Sequence, residues 1–350
     1  MPRKQAKAAQ QAAPTTAPLS IVILAAGQGK RMQSDIPKVL QPLAGMPMLA
    51  HVLGLAAKLT PASIHVVYGH GGERVRELFD DGRLRWSLQS DQLGTGDALH
   101  QAMPDIPDAN QVLVLYGDVP LLLADTLRGL IARSGTRGVA LLTARLADPS
   151  GYGRVVRDAR GALRRIVEEC DANPRQRLIR EVNTGVLVAS ARFLKDWLAR
   201  LKPRNAQREY YLTDILGMAV RQKLRIATVE AADAAEVQGV NDKLQLALAE
   251  AEYRRRRARQ LMGQGVTLID PALGESRPTA RWRSVVLPAP FGPTSPTTLP
   301  AGIHRVQSWS AHLRPYSLPS PLASMTPLMR RLRRKSCGTR CGRSPRCHRA

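Results

Sequence analysis

The chain has 350 residues, enough for one large domain or two smaller ones, with 52 Lys and Arg against 28 Asp and Glu and a formal net charge of +24. No apolar stretch approaches the roughly 18 residues of a membrane span, which excludes a transmembrane anchor. The charge suggests a polyanion binder, yet residues 271–350 alone carry fourteen basic side chains and one acidic one, so residues 21–270 are only mildly basic.

In chain order, residues 1–19 lack the continuous apolar core of a secretory signal and read as a disordered leader. Short β-branched or leucine-rich runs come next at Ile21–Leu24, Ile64–Tyr68, Val112–Leu115, Val139–Thr143 and Val186–Ala189, separated by longer helix-compatible segments. Met48–Lys58 has helical spacing, and Ala98–Met103 opens a similar segment. This alternation predicts an α/β fold, a Rossmann-like open sheet that is mostly parallel, with ligands beyond the carboxyl ends of the strands. Residues 242–262 predict one long helix with an apolar stripe through Leu244, Leu246, Leu248 and Leu261, and with Arg254–Arg257 on a solvated face. The expected organisation is a leader at 1–19, a catalytic domain at 20–241, a helical arm at 242–273 and a Pro/Arg/Ser-rich tail at 274–350. That tail shows no periodic core and reads as disordered or as aberrant sequence. Its Cys337, Cys341, Cys347 and His348 lack the paired spacing of a zinc finger. Cys170 stands alone in the central region, which favours a reducing compartment and a cytoplasmic protein.

The strongest local signal is IVILAAGQGKRMQSDIPKVL, where a strand enters a loop with Gly27 and Gly29 and then meets Arg31 and Lys38. Small residues let backbone N–H groups approach phosphate oxygens, and the two cations neutralise charge, so the segment reads as a polyphosphate cradle. A dinucleotide-binding loop would need glycine where Met32 stands, and a Walker loop would need GK[ST]. In LQSDQLGTGDA, Gln89 and Gln92 precede the turn Gly94-Thr95-Gly96 and offer amide and backbone groups to a base edge. In LVLYGDVPLL, Asp118 lies just past a strand, where a carboxylate either caps a turn or holds Mg2+ together with substrate phosphates and water. GYGRV, IVEECDA, EVNTGV and EVQGVNDKLQLA are weak singly, since Glu168, Asn183 and Asn241 would by default be surface or capping residues.

Taken in order, from about Ser20 to Pro271, these motifs resemble the uridylyltransferase half of the GlmU family, bacterial bifunctional N-acetylglucosamine-1-phosphate uridylyltransferases and glucosamine-1-phosphate acetyltransferases. The resemblance implies the nucleotide-diphospho-sugar transferase fold and nucleotide contacts at Leu24, Ala25, Ala26 and Gly27, with Arg31 and Lys38 catalytic on the phosphates. It implies uracil reading by Gln89, Gly94 and Thr95, and a further binding motif at Tyr116, Gly117 and Asp118. Asp118 and Asn241 are its Mg2+ ligands, and Gly153, Glu168 and Asn183 hold the N-acetylglucosamine moiety.

The implied reaction joins UTP and N-acetylglucosamine 1-phosphate into UDP-N-acetylglucosamine, a precursor of peptidoglycan and lipopolysaccharide, with release of pyrophosphate. Two departures stand out. Cys170 replaces a lysine of the family pattern, which alters charge near the sugar phosphate. After Pro271 the family continues into a left-handed β-helix of hexapeptide repeats, which this sequence lacks. With it go the implied acetyl-coenzyme A site and the main reason to expect a trimer. Two alternatives remain from the residues: a nucleotidyltransferase for another sugar phosphate or nucleotide, and a non-catalytic nucleic-acid-binding protein. The second rests on the basic tail, which has no recognised nucleic-acid-binding fold. Neither a membrane nor a specific nucleic acid is an expected partner.

Overall fold

A computed structural model describes residues 17–268, except 28, 70, 80, 81, 136 and 137, together with the backbone of Val285–Val286. The leader up to residue 16, the candidate zinc ligands of the tail and the expected loss of the β-helix lie outside the described residues. The first half comprises β1 (Leu19–Ala25), β2 (Pro42–Leu43), β3 (Met46–Pro47), α1 (Met48–Ala57), β4 (Ser63–Gly69), α2 (Glu73–Phe79), β5 (Leu84–Gln89), α3 (Thr95–Ala102), β6 (Gln111–Tyr116) and α4 (Ala124–Ser134). Next come β7 (Val139–Arg145), β8 (Arg154–Arg157), β9 (Leu163–Val167), α5 (Pro174–Arg177), β10 (Glu181–Ser190), α6 (Ala191–Leu198), α7 (Asp214–Arg221), β11 (Ile226–Glu230), α8 (Lys243–Gly263), β12 (Thr267–Leu268) and β13 (Val285–Val286).

Among the described residues, nine strands form one sheet with the path β11-β7-β10-β6-β1-β4-β5, and β8 links β9 to β10. β1 pairs parallel with β4 and β6, whereas β10 runs antiparallel to both β6 and β7. Covered on both faces, β1 is buried from Ser20 to Ala25, which is why it reads as an unbroken apolar run rather than an alternating one. β10 shifts register between Asn183 and Leu187, and Gly185 inside that bulge has φ 80°. Such a bulge re-aims the side chains beside it.

The main core packs α3, α6 and α7 on the sheet through residues such as Leu99, Met103, Ile106, Leu194 and Trp197. Trp197 is fully buried, and its indole N–H donates to Gln222 Oε1 at 3.1 Å. A smaller cluster of Met32, Leu43, Met48, Leu121, Val240 and Ala249 fastens α8 to the loop after β1.

Two expectations are corrected. The stripe on α8 is not the leucine series, because Leu244 and Leu248 are 70% and 51% exposed. The helix instead packs through Leu246, Ala249 and Tyr253, spaced at three and four residues. The arginine run is not uniformly solvated, since Arg256 donates to Leu121 O (2.7 Å), Glu252 (2.7 Å) and Asp233 (3.2 Å). At the ends of the described chain, β1 begins at Leu19, and Val285–Val286 pairs antiparallel with β12. No described helix is long and apolar enough to cross a membrane.

Candidate active site

The loop after β1 turns sharply because Gly29 takes a left-handed conformation (φ 65°). A side chain at that position would place its Cβ 2.6 Å from the Lys38 Cβ, so only glycine allows the close approach of these two segments. Met32, where a dinucleotide-binding loop would have glycine, is fully buried and anchors the loop, while Lys30 and Arg31 remain exposed. Arg31 has no side-chain partner among the described residues, which leaves its guanidinium open to an anion.

Lys38 turns inward. Its Nζ lies 2.5 Å from Asp118 Oδ2 and donates to Asn241 Oδ1 at 3.0 Å, so two oxygens from distant parts of the chain converge on one cation. Asp118 lies just past β6, and its backbone carbonyl accepts from Val240 N at 2.9 Å, which brings the segment before α8 to the strand end. Asn241 is fixed there by the start of α8, where its N–H donates to Gln245 Oε1 (2.7 Å) and Asp242 caps Gln245 N (2.8 Å). No group of three or more His, Cys, Asp or Glu converges among the described residues. One carboxylate and one amide oxygen aimed at a shared point fit a hard divalent cation that takes its other ligands from substrate phosphates and water.

Leu24, Ala25, Ala26 and Gly27 lie at the carboxyl end of β1 beside Tyr116 and Gly117, whose N–H donates to Leu24 O at 2.9 Å. The Gly94–Thr95 segment is held from both sides. Tyr210 N donates to Leu93 O (2.7 Å), Gly96 N to Tyr210 O (2.8 Å) and Leu212 N to Thr95 Oγ1 (3.2 Å). Gln92 ties it to the phosphate loop by donating to Ala26 O at 2.8 Å. Gln89, buried at 3% exposure, donates its amide N–H to Gly94 O (3.1 Å) and Asp97 Oδ2 (2.7 Å).

Gly153, Glu168 and Asn183 come together at the base of the β8–β9 hairpin. Asn183 N donates to Gly153 O at 2.8 Å, and a Cβ on Gly153 would meet Glu168 Oε2 at 2.9 Å. Burial pushes the Glu168 carboxyl above its ordinary pKa, opposed by the hydrogen bond from Thr213 Oγ1 (2.8 Å). Tyr116 joins this group to the Lys38 cluster, since its ring covers Gly185, two residues after Asn183, and it precedes Asp118 by two. Its phenol pKa is raised by burial first and then by Glu168 and Asp118, so it stays protonated and available as a donor.

Sequence reasoning passed over the segment 207–213, which carries Tyr210 and Thr213. It has no glycine, charge cluster or strand pattern, and only its contacts reveal it. Arg154 was also missed: 1% exposed, it pairs with Glu169 at 2.7 Å and donates to Tyr152 O, pinning the Gly151–Gly153 loop. Cys170 is exposed beside that ion pair.

The family described as the MobA-like NTP transferase domain matches residues 21–197. Proteins named bifunctional protein GlmU from Azotobacter vinelandii and Aromatoleum aromaticum are 58% and 56% identical over 254 residues, 73% of this chain and 56% of each relative. The Pseudomonas aeruginosa protein of that name is 55% identical over 253 residues. This chain thus spans little more than half the length of the curated relatives it matches. A Bacillus anthracis chain described as a glucose-1-phosphate thymidylyltransferase, crystallised with a sucrose, superposes with a TM-score of 0.54 at 18% identity. That superposition covers 67% of this chain and 94% of the other, and it shows a shared fold.

Proposed function

Because this chain belongs to the MobA-like NTP transferase family and is therefore a nucleotidyltransferase, we propose that it transfers UMP from UTP to N-acetylglucosamine 1-phosphate in the cytoplasm, giving UDP-N-acetylglucosamine and pyrophosphate. The observation that carries this reading is a pair of residue clusters joined through Tyr116. One is the glycine loop after β1 with a cation point at Lys38, Asp118 and Asn241; the other is the polar group of Gly153, Glu168, Asn183 and Thr213. The GlmU relatives supply the substrate names.

Nucleotidyltransferases of this family generally use a divalent metal, and Mg2+ held by Asp118 and Asn241 would neutralise triphosphate charge. The other contributions belong to the chain. Backbone N–H groups around Gly27 and Gly29 cradle the triphosphate, and Arg31 and Lys38 face the charge that develops as a phosphate oxygen of the sugar phosphate attacks the α-phosphorus. Gly94 and Thr95 present backbone to the uracil. Gly153, Asn183 and the Glu168–Thr213 pair orient the sugar. No general base is needed, since the attacking phosphate is already ionised at neutral pH.

A substrate panel tests the proposal. Pyrophosphate release should be fastest with UTP and N-acetylglucosamine 1-phosphate, against other nucleoside triphosphates and against glucose 1-phosphate or glucosamine 1-phosphate. Faster turnover with another pair would keep the nucleotidyltransferase and replace its substrates.

A further inference from the structure

A second cavity, about 730 Å³ in volume, opens beside β11 at the edge of the sheet. Four strand spacings separate β11 from β1, roughly 19 Å, so the cavity is distinct from the phosphate loop. Its walls are the end of α4, the turn of the β8–β9 hairpin and the segment between α7 and β11. Arg133, Arg160, Arg164, Lys223 and Arg225 line it, all exposed, and none has a side-chain hydrogen bond or ion pair with another described residue. Arg157, also in the wall, is already neutralised by Glu181 (2.5 and 2.8 Å) and donates to Thr228 Oγ1 at 3.1 Å.

Asp158 is the one carboxylate of the lining, and it is occupied with the hairpin turn, accepting from Arg160 N and Ala162 N at 2.9 Å each. Five cations therefore face the cavity with little internal compensation. Their mutual repulsion is relieved by an anion that brings several charges into a small volume. Arginine forks match phosphate oxygens in pairs, which favours linked phosphates over a single carboxylate. The lining contains no aromatic ring on which a base could stack.

We propose that this cavity is a second anion site, taking a compact polyphosphate chain, either free or as the tail of a nucleotide, independently of the transfer reaction. Hydrogen exchange of the full-length protein with inorganic tripolyphosphate tests it. Protection is expected in peptides covering 157–164 and 220–228. It should persist in Lys38→Met, whose phosphate loop is impaired, and weaken by about tenfold or more in apparent affinity in Arg160→Ser/Arg164→Ser/Arg225→Ser. The single substitution Arg225→Ser is a milder second variant and should show a smaller loss in the same direction. Protection by UTP equal to that by tripolyphosphate would assign recognition to the phosphate chain, and protection by tripolyphosphate alone would assign it to the free anion. The proposal is overturned if these peptides gain no protection, if protection survives the triple substitution in a cooperatively folded protein, or if a single-stranded RNA oligonucleotide protects them more strongly than tripolyphosphate.

Discussion

With its ammonium 2.5 Å from Asp118 and 3.0 Å from Asn241, Lys38 fills the point on which both oxygens converge. A divalent cation entering without nucleotide must displace it, so Lys38→Met should bind Mn2+ more tightly than the wild type when no nucleotide is present. Electron paramagnetic resonance titration reads this directly, and unchanged or weaker binding would refute the competition. Turnover in the same variant should fall roughly a hundredfold, the usual cost of one well-placed charge donor. Asp118→Asn keeps the backbone contact to Val240 but removes the carboxylate charge of the proposed metal site, so a folded protein with most of its metal-dependent turnover lost is expected. A different residue contributes to acid sensitivity. His65 is buried in β4, where Nε2 contacts Ser63 Oγ at 3.0 Å, and burial followed by Arg85 pulls its pKa from 6.5 to about 4. Between those values the unfolded chain binds a proton that the folded chain refuses, so the contribution is present above 6.5 and lost as pH falls toward 4. The urea midpoint should therefore drop more between about pH 7.5 and about pH 5 in the wild type than in His65→Gln.

At the scale of elements, two neighbouring arginines of α8 contribute very differently. Arg256 reaches a backbone carbonyl and two carboxylates, whereas Arg257 is exposed and donates only to Gln260. Arg256→Ala should cost about 1–3 kcal/mol in unfolding free energy and Arg257→Ala less than about 0.5, measured by urea denaturation. The bulge in β10 is equally specific, because a Cβ at Gly185 would fall 2.5 Å from the Tyr116 ring while the backbone holds φ 80°. Gly185→Ala should lose about 1–3 kcal/mol of stability and weaken sugar-phosphate binding by displacing Tyr116. Equal stability and an unchanged KM would show that the ring can move aside at no cost.

For the whole molecule, the two hydrophobic clusters formed among the described residues reach no further along the chain than Tyr253, while residues 271–350 carry fourteen of the basic side chains. A protein ending at Asp270 loses the two-residue pairing of β12 with β13 but no member of either cluster, so it should keep its melting temperature and the proposed uridylyl transfer while losing most retention on a polyanion column. It should also keep the tripolyphosphate protection of 157–164, since the cavity lies wholly within residues 133–228. The 350 residues should release no thiol from acetyl-coenzyme A with glucosamine 1-phosphate, because nothing after Pro271 repeats at six residues.

The open α/β sheet, the glycine turn after β1 and the carboxylate at the end of β6 were legible in the residues, because each rests on local rules. Buried strands read as apolar runs, a left-handed turn needs glycine, and a residue just past the carboxyl end of a strand faces the ligand crevice. Which distant residues meet was decided by the tertiary structure alone. Lys38 finds Asn241 across 203 positions, Glu168 finds Thr213 across 45, and the amide of Gln89 is consumed by Asp97. The stripe on α8 could not be read correctly either, since its leucines and its true contacts have similar spacing and only the neighbouring cluster of Met32, Met48 and Val240 selects a face. The cationic cavity beside β11 is the same kind of outcome: its five cations are spread over 92 positions, and only the packing of helix, hairpin and edge strand brings them to one place.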